Sequence, residues 1–413
     1  MARERHFDIV IAGGGMVGTC LALALAPLNL RVAVVEAVQP GAATQPSFDD
    51  RSTALSRSSQ LFFEALGLWP RIESTATPIR KIHVSDRGRF GFAHIDAEEQ
   101  GVEALGYIVI NRILGGVLQA ALADTGNVKV LCPARISDVQ TTADHARAIV
   151  SEADGAEQIL TCGLLVAADG ANSNVRDMLG ISASKQSYGQ QAVIGNVLPE
   201  KPIDYVAYER FTKSGPLALL PIADQRAAFV WGLDLREAER AMALDDANFL
   251  AELQAAFGYR LGEFSRMGKR VAYPLALSKA MRLTAQRAVL VGNAAHGLHP
   301  VAAQGFNLGL RDVAALSDCI FDALTTGPGQ PDIGSVALLQ RYSDWRRGDQ
   351  QKLVRVTDGL VKLFANEQPL LSLVRNIGML GFDLVPGVRR QFARHTMGLA
   401  GRLPRLSRGV PLT

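Results

Sequence analysis

Cysteine is scarce in this chain. Its 413 residues include four, Cys20, Cys132, Cys162 and Cys319. None is spaced C-x-x-C and none has partner histidines, so neither a disulfide framework nor a metal site is expected. They read as small buried hydrophobes. Charge of one sign is also missing. Lys and Arg number 43 against 40 Asp and Glu, a net +3 that is too small to imply a nucleic-acid partner. There is no low-complexity tract and no repeat. An uninterrupted apolar run is lacking as well. Ile9 to Leu30 is uncharged and follows Arg3, Arg5 and His6, which superficially suits an export signal. Three consecutive glycines, Gly13 to Gly15, break it, and Asp8 and Asn29 bracket it. Strand, turn and helix account for it without remainder. With 48% hydrophobic and 20% charged residues, the composition suits a cytosolic α/β enzyme of two or three domains.

Three short motifs carry the chemistry. Phe7–Ala12 is a β-branched run bounded by glycine and reads as a buried strand. Gly13, Gly15 and Gly18 then fit G-x-G-x-x-G. The first allows the turn, the second admits a pyrophosphate to the backbone, and the third lets the next helix pack on the strand. That helix is expected from Met16 through Val17 to about Ala26, ended by Pro27 and Asn29. Its free N–H groups and positive dipole end would face phosphates. Arg31–Glu36 is the second strand. Glu36 at its end can accept hydrogen bonds from a ribose diol and would repel a 2′-phosphate.

The second motif is mid-chain. Cys162–Gly170 reads as an apolar strand running into a turn, which places Asp169 and Gly170 at the carboxyl edge of the sheet. Ser173 is expected to cap a helix containing Val175 and Arg176. Alone, this is equally an ordinary β-turn-helix. The third motif begins in Arg287–His296, again strand then glycine turn. Gly305, Asn307 and Gly309 follow, and Arg311–Leu324 has helical periodicity. A glycine-rich loop opening a helix offers backbone N–H groups to an anion or an electron-rich ring edge. His296 and His299 have no identifiable carboxylate partner and read as satisfied loop residues, not as bases.

Together these residues resemble the class A flavoprotein aromatic hydroxylases, the para-hydroxybenzoate hydroxylase-like group. The resemblance runs from about Asp8 to Gly409. It is closer to the ubiquinone-biosynthesis branch, through Asp49–Leu55, Asn111–Leu114, Tyr273–Leu275 and the loop His299 to Asp312. Asn293 stands where the wider family has aspartate, which narrows the likeness to the 2-polyprenyl-6-methoxyphenol hydroxylases. Asparagine still hydrogen-bonds a ribityl hydroxyl.

The resemblance implies a Rossmann-like FAD-binding α/β fold of the glutathione reductase type, an inserted antiparallel-sheet substrate domain and a C-terminal helical region. It implies FAD, with NAD(P)H and O2 as cosubstrates and oxygen added at the flavin C4a before transfer to a phenol ring. No second nucleotide fingerprint is present, so the nicotinamide would bind transiently on the same chain. Gly13, Gly15, Val17, Gly18 and Glu36 would hold the adenosine diphosphate half of FAD. Arg51 and Arg112 would lie near the pyrophosphate and flavin. Asp169 and Gly170 would sit between FAD and nicotinamide. Gly292, Asn293, Pro300, Gln304, Gly305 and Asn307 would surround the ribityl chain and ring. No catalytic residue is singled out. The substrate implied is a lipophilic phenol. A small soluble phenol or natural product is the alternative, as is a flavin-binding assembly subunit in a complex with other ubiquinone-biosynthesis proteins.

Organisation and tail complete the expectations. The FAD-binding domain is expected to be discontinuous, over residues 1–75, 101–183 and 270–330. The substrate domain takes 76–100 and 184–269, where Ala218–Ile222 and Ala227–Leu233 read as antiparallel strands. Residues 331–413 read as helices. After Asp383 there is no acidic residue, while Arg389, Arg390, Arg394, Arg402, Arg405 and Arg408 alternate with apolar side chains. Such a segment suits peripheral contact with the inner face of the cytoplasmic membrane. A helix packed on the body with a solvated basic face fits it equally.

Overall fold

The computed structural model describes residues 3–39, 51–88, 92–297, 304–326, 331–349 and 385–413. The first strand, Arg3–Ala12, is longer than its apolar run because its polar start pairs in parallel with Glu157–Ala167. On its other side it pairs in parallel with Val32–Val35. Ile9, Val10 and Ile11 are fully buried, so both faces of the strand are covered. Parallel strands read as unbroken apolar runs for this reason. Each such side chain contributes about 1.5–3 kcal/mol on burial. The helix Met16–Leu25 connects the first two strands and packs on the long helix Gln304–Thr326. The path of this sheet ends at Val128–Leu131 on one side and at Ala288–Leu290, then Thr284–Ala285, on the other. The antiparallel strands Ala134–Thr141 and Ala146–Glu152 attach through Glu157–Ala167. This is the expected α/β dinucleotide module.

A second, nine-stranded sheet, largely antiparallel, contains Pro216–Pro221 and Ala227–Asp234 side by side, as the alternation indicates. One face packs on the helices Leu235–Ala243 and Asp246–Phe257 through Leu217, Leu219, Phe229, Trp231, Phe249 and Leu253. Two expected boundaries move. Val271–Ala280 belongs to this sheet and not to the FAD module, because it pairs along Ala183–Pro199. Thr77–Ile79 leaves it, joining Gly106–Ile110 and Ser52–Ser56 in a separate three-stranded sheet. Neither shift is visible in local pattern, since a strand's periodicity does not name its partner.

The C-terminal region is described over 331–349 and 385–413. Helices occupy 336–349 and Pro386–Thr396, but beyond these the described chain holds only the short turn Leu406–Arg408. The tail packs on the body. Ala393 and Met397 are buried against Ile95 and Leu105, and Leu406 and Leu412 enter the main core. Arg389 pairs with Glu99 at 3.2 Å, Arg405 with Asp322 at 2.8 Å, and Arg402 lies over Trp345 at 4.2 Å. Half of the tail arginines therefore face the protein. Arg390, Arg394 and Arg408 are exposed. Among the described residues no helix is long and apolar enough to cross a membrane.

Candidate active site

The three motifs, distant from one another in sequence, abut one another. Gly13 has φ +100°, a left-handed conformation that favours glycine. A Cβ there would lie 2.6 Å from the Ala168 carbonyl oxygen and 2.9 Å from Asp169 Cα, so the first motif sits directly against the second. Val17 reaches the third. A Cβ on Gly292 would lie 3.0 Å from Val17 Cγ1, and one on Gly309 3.0 Å from Val17 Cγ2. Backbone bonds fix the same junction, from Ala168 N to Ala12 O at 2.8 Å and from Val291 N to Ala167 O at 3.0 Å.

The cradle fits FAD. Gly15 is the N-cap of Met16–Leu25 and carries no side-chain cap, so the first N–H groups of the helix are open to a pyrophosphate. Its φ of −65° suits any residue. Backbone conformation therefore does not demand glycine there. Gly18 has no room for a side chain, because a Cβ would collide with the Gly13 carbonyl oxygen. Glu36 follows Val32–Val35, and its carboxylate accepts from Gly14 N at 2.6 Å and Val38 N at 2.8 Å. A carboxylate has about four acceptor positions, so a ribose diol can be taken up as well.

The other expected site residues fall in several settings. Arg51 lies with its guanidinium 4.6 Å from the centroid of the Tyr273 ring, which joins two segments of the resemblance. Arg112 is exposed in the first turn of Asn111–Ala123. The Asp169 carboxylate is turned into its own loop. It accepts from the Ser173 hydroxyl and from Val175 N, while Ser173 caps Asn174–Met178 as expected. Burial raises its pKa, with those hydrogen bonds opposing. Gly170, at φ +90°, completes the turn. Asn293 is exposed on the short turn Gly292–Ala294. Gln304 and Gly305 open the long helix. Pro300 and His299 lie outside the described residues.

Asn307 differs from expectation. Its side chain accepts from Ser56 N at 2.8 Å and the Ser59 hydroxyl at 2.7 Å, and donates to Ala54 O at 2.8 Å. It is buried and pins the segment after Arg51 to the long helix. Its side chain thus supports the site and does not line it.

His296 requires a correction. It has a carboxylate partner, Asp312, with Nε2 2.5 Å from Oδ2. Asp312 also accepts from Gly292 N at 3.0 Å and from Arg346 Nε at 2.7 Å. Arg346 donates to Asp349 at 2.6 Å, which accepts from Arg311 at 2.8 Å. Arg311 reaches the tail at Ala400 O. Asp312 and Arg346 are completely buried. Burial alone would raise the Asp312 carboxyl. His296 and Arg346 outweigh it and hold the pKa at about 2. This network clamps the third motif to two helices and the tail. Its sequence signal was present but unread: Asp312 shares the apolar face of its helix with Leu308, Ala315, Leu316 and Cys319.

A dinucleotide cradle built from three distant motifs beside a large antiparallel sheet defines a flavin-dependent monooxygenase. The chain belongs to the FAD binding domain family, which matches residues 6–357, and is an FAD-dependent aromatic hydroxylase. It is 37% identical to the ubiquinone hydroxylase UbiL of Rhodospirillum rubrum, over 99% of this chain and 94% of the relative. It is 32% identical to the 3-demethoxyubiquinol 3-hydroxylase of Escherichia coli, over 95% and 98%. Among solved structures, p-nitrophenol 4-monooxygenase PnpA of Pseudomonas putida shares the fold, with a TM-score of 0.79 at 19% identity over 97% and 99% of the two chains.

Proposed function

We propose that this enzyme hydroxylates the ring of a polyprenylated phenol, of the 2-polyprenyl-6-methoxyphenol type, in ubiquinone biosynthesis. The reading rests on full-length identity of 37% to a ubiquinone hydroxylase. NAD(P)H and O2 are the proposed cosubstrates. Reduced FAD reacting with O2 supplies an electrophilic oxygen. The protein's part is to bind the cofactor through the Gly13–Gly18 turn and Glu36, orient the ring beside it, and keep water away from the oxygen being transferred.

One observation favours this over a small aromatic acid. An acid needs a fixed cation beside its carboxylate. Within the nine-stranded sheet, the row on the face opposite Leu235–Phe257 that runs through Ala218, Val230, Ile194 and Val271 is aliphatic apart from the carboxylate Glu209, which would repel such a substrate. An assembly role alone would not need three intact cofactor motifs. Contact with an anionic membrane, and association with other enzymes of the same biosynthesis, are part of this proposal. The helix Pro386–Thr396 presents Arg390, Arg394 and the exposed Val385 and Val388 at its start and outer face.

The test is direct. The purified flavoprotein, given NAD(P)H, O2 and a short-chain 2-prenyl-6-methoxyphenol, is expected to yield a product heavier by one oxygen atom. Turnover of a hydroxybenzoate in preference to the prenylated phenol would support the small-acid alternative instead.

A further inference from the structure

Across seven neighbouring strands, one row of side chains on a single sheet face can be read from the register. It runs Ala93, Val84, Glu209, Ala218, Val230, Ile194, Val271. Six members are aliphatic and one is a carboxylate. The opposite face is closed by helices 235–243 and 246–257. This face is turned toward the FAD module. The preceding row packs Ala207, Leu220 and Ala228 against Ala54, Ile79 and Ile108 of the three-stranded sheet. The following row includes Ala192 and Tyr273, and Arg51 lies over Tyr273.

Glu209 is half-buried there and makes no hydrogen bond or ion pair among the described residues. Burial is the cause that raises its pKa, to about 7. Such a carboxyl is costly unless it does something. Among the described residues, the charged groups sharing its surroundings are few. On the same face stand Asp86, one row along, and Tyr273 beneath Arg51. The three-stranded sheet presents the uncharged Ala54, Ile79 and Ile108, and the tail helix presents Phe392, Ala393 and, one turn earlier, Arg389, which is paired with Glu99.

We propose that Glu209, the lone carboxylate in an aliphatic row facing the flavin module, accepts the proton of the substrate's phenol hydroxyl. This rests on the phenol reading above. The phenol O–H bond breaks, a carboxyl O–H bond forms, and the electron pair stays on the phenolate oxygen. That pair raises electron density at the ring carbons ortho and para to it, where electrophilic oxygen attacks. One atom of O2 then bonds to a ring carbon. The ring C–H proton leaves with the water formed from the other oxygen atom, on two electrons from NAD(P)H. The carboxyl returns its proton to the oxygen it came from. A carboxyl titrating near neutrality is well matched to this exchange, since a general base works best with a pKa near the working pH.

The test is Glu209→Gln, with a short-chain 2-prenyl-6-methoxyphenol as probe. Removing a partnerless carboxylate should leave FAD content and flavin reduction unchanged and the melting temperature at pH 8 no lower. Wild-type hydroxylation should rise with pH through about 7. The variant should lose that limb, fall about a hundredfold or more at neutral pH, and divert O2 to hydrogen peroxide. Independently of turnover, the probe bound to the oxidised wild type at pH 8 should show a phenolate difference spectrum that the variant lacks. An unchanged pH limb, an unchanged spectrum, or a variant that melts lower because the carboxylate has a structural partner would each overturn the assignment. A wild type that binds FAD but neither binds nor hydroxylates the prenylated phenol would instead overturn the substrate reading.

Discussion

Single side chains decide the cofactor site. Gly15 has an ordinary backbone conformation, and the expected approach of a pyrophosphate to the helix end would leave no room for a larger side chain. Gly15→Val should therefore fold but purify colourless, read by its visible spectrum. A normal flavin spectrum would show that the pyrophosphate lies elsewhere. Glu36→Ala should weaken FAD retention by about 1.5–3 kcal/mol, the contribution of charge-assisted hydrogen bonds, measured by flavin titration. Because Glu36 also holds Gly14 N and Val38 N, its melting temperature must be followed alongside. Asp312 is a different case. Its folded pKa of about 2 lies below the ordinary 3.8. A depressed carboxyl contributes stability that is present above its unfolded value and lost as pH falls through the folded one. Wild type should accordingly lose stability between about pH 4 and pH 2, and Asp312→Asn should show a smaller acid loss. At pH 7 the variant should be destabilised by about 3 kcal/mol or more, because Arg346 is left buried with one partner fewer. Equal acid melting profiles would show that the clamp is not ionic.

At the scale of elements, the tail helix is where the sequence left two readings open. Three of its region's arginines are bound to Glu99, Asp322 and Trp345, and its apolar side chains enter two cores. Removing everything after Asp383 would expose those cores, so truncation cannot report on membranes. Reversing Arg390, Arg394 and Arg408, exposed residues outside those three contacts, to Glu leaves the packing in place. Each basic residue at an anionic surface contributes about 1 kcal/mol. The triple variant should lose co-sedimentation with anionic vesicles at low salt while melting like the wild type. No difference between the two proteins would remove the helix from any membrane role.

For the whole molecule, the informative feature is how far apart the cooperating parts are in sequence. The cradle takes residues near 13, 169, 292 and 309 because the strand Arg3–Ala12 is central, with partners from 32 and from 157 onward. The substrate sheet grows directly out of this frame, as His296–Gly297 pairs with Ser278 and Lys279.

The class of fold, the dinucleotide turn, the three motifs and the cap at Ser173 were legible from the chain alone. Each depends on residues close in sequence: glycine where a turn or a near approach demands it, β-branched runs for buried parallel strands, a serine before a short helix. What only the tertiary structure decided is pairing at a distance. Which sheet takes Val271–Ala280, the carboxylate that answers His296, the turning of Asn307 toward Ser56, and the isolation of Glu209 among aliphatic neighbours all depend on strand register and helix docking. Local pattern specifies that a side chain faces a core or a cleft. It does not specify which other side chain it will meet there, because that is settled by burial summed over the whole chain.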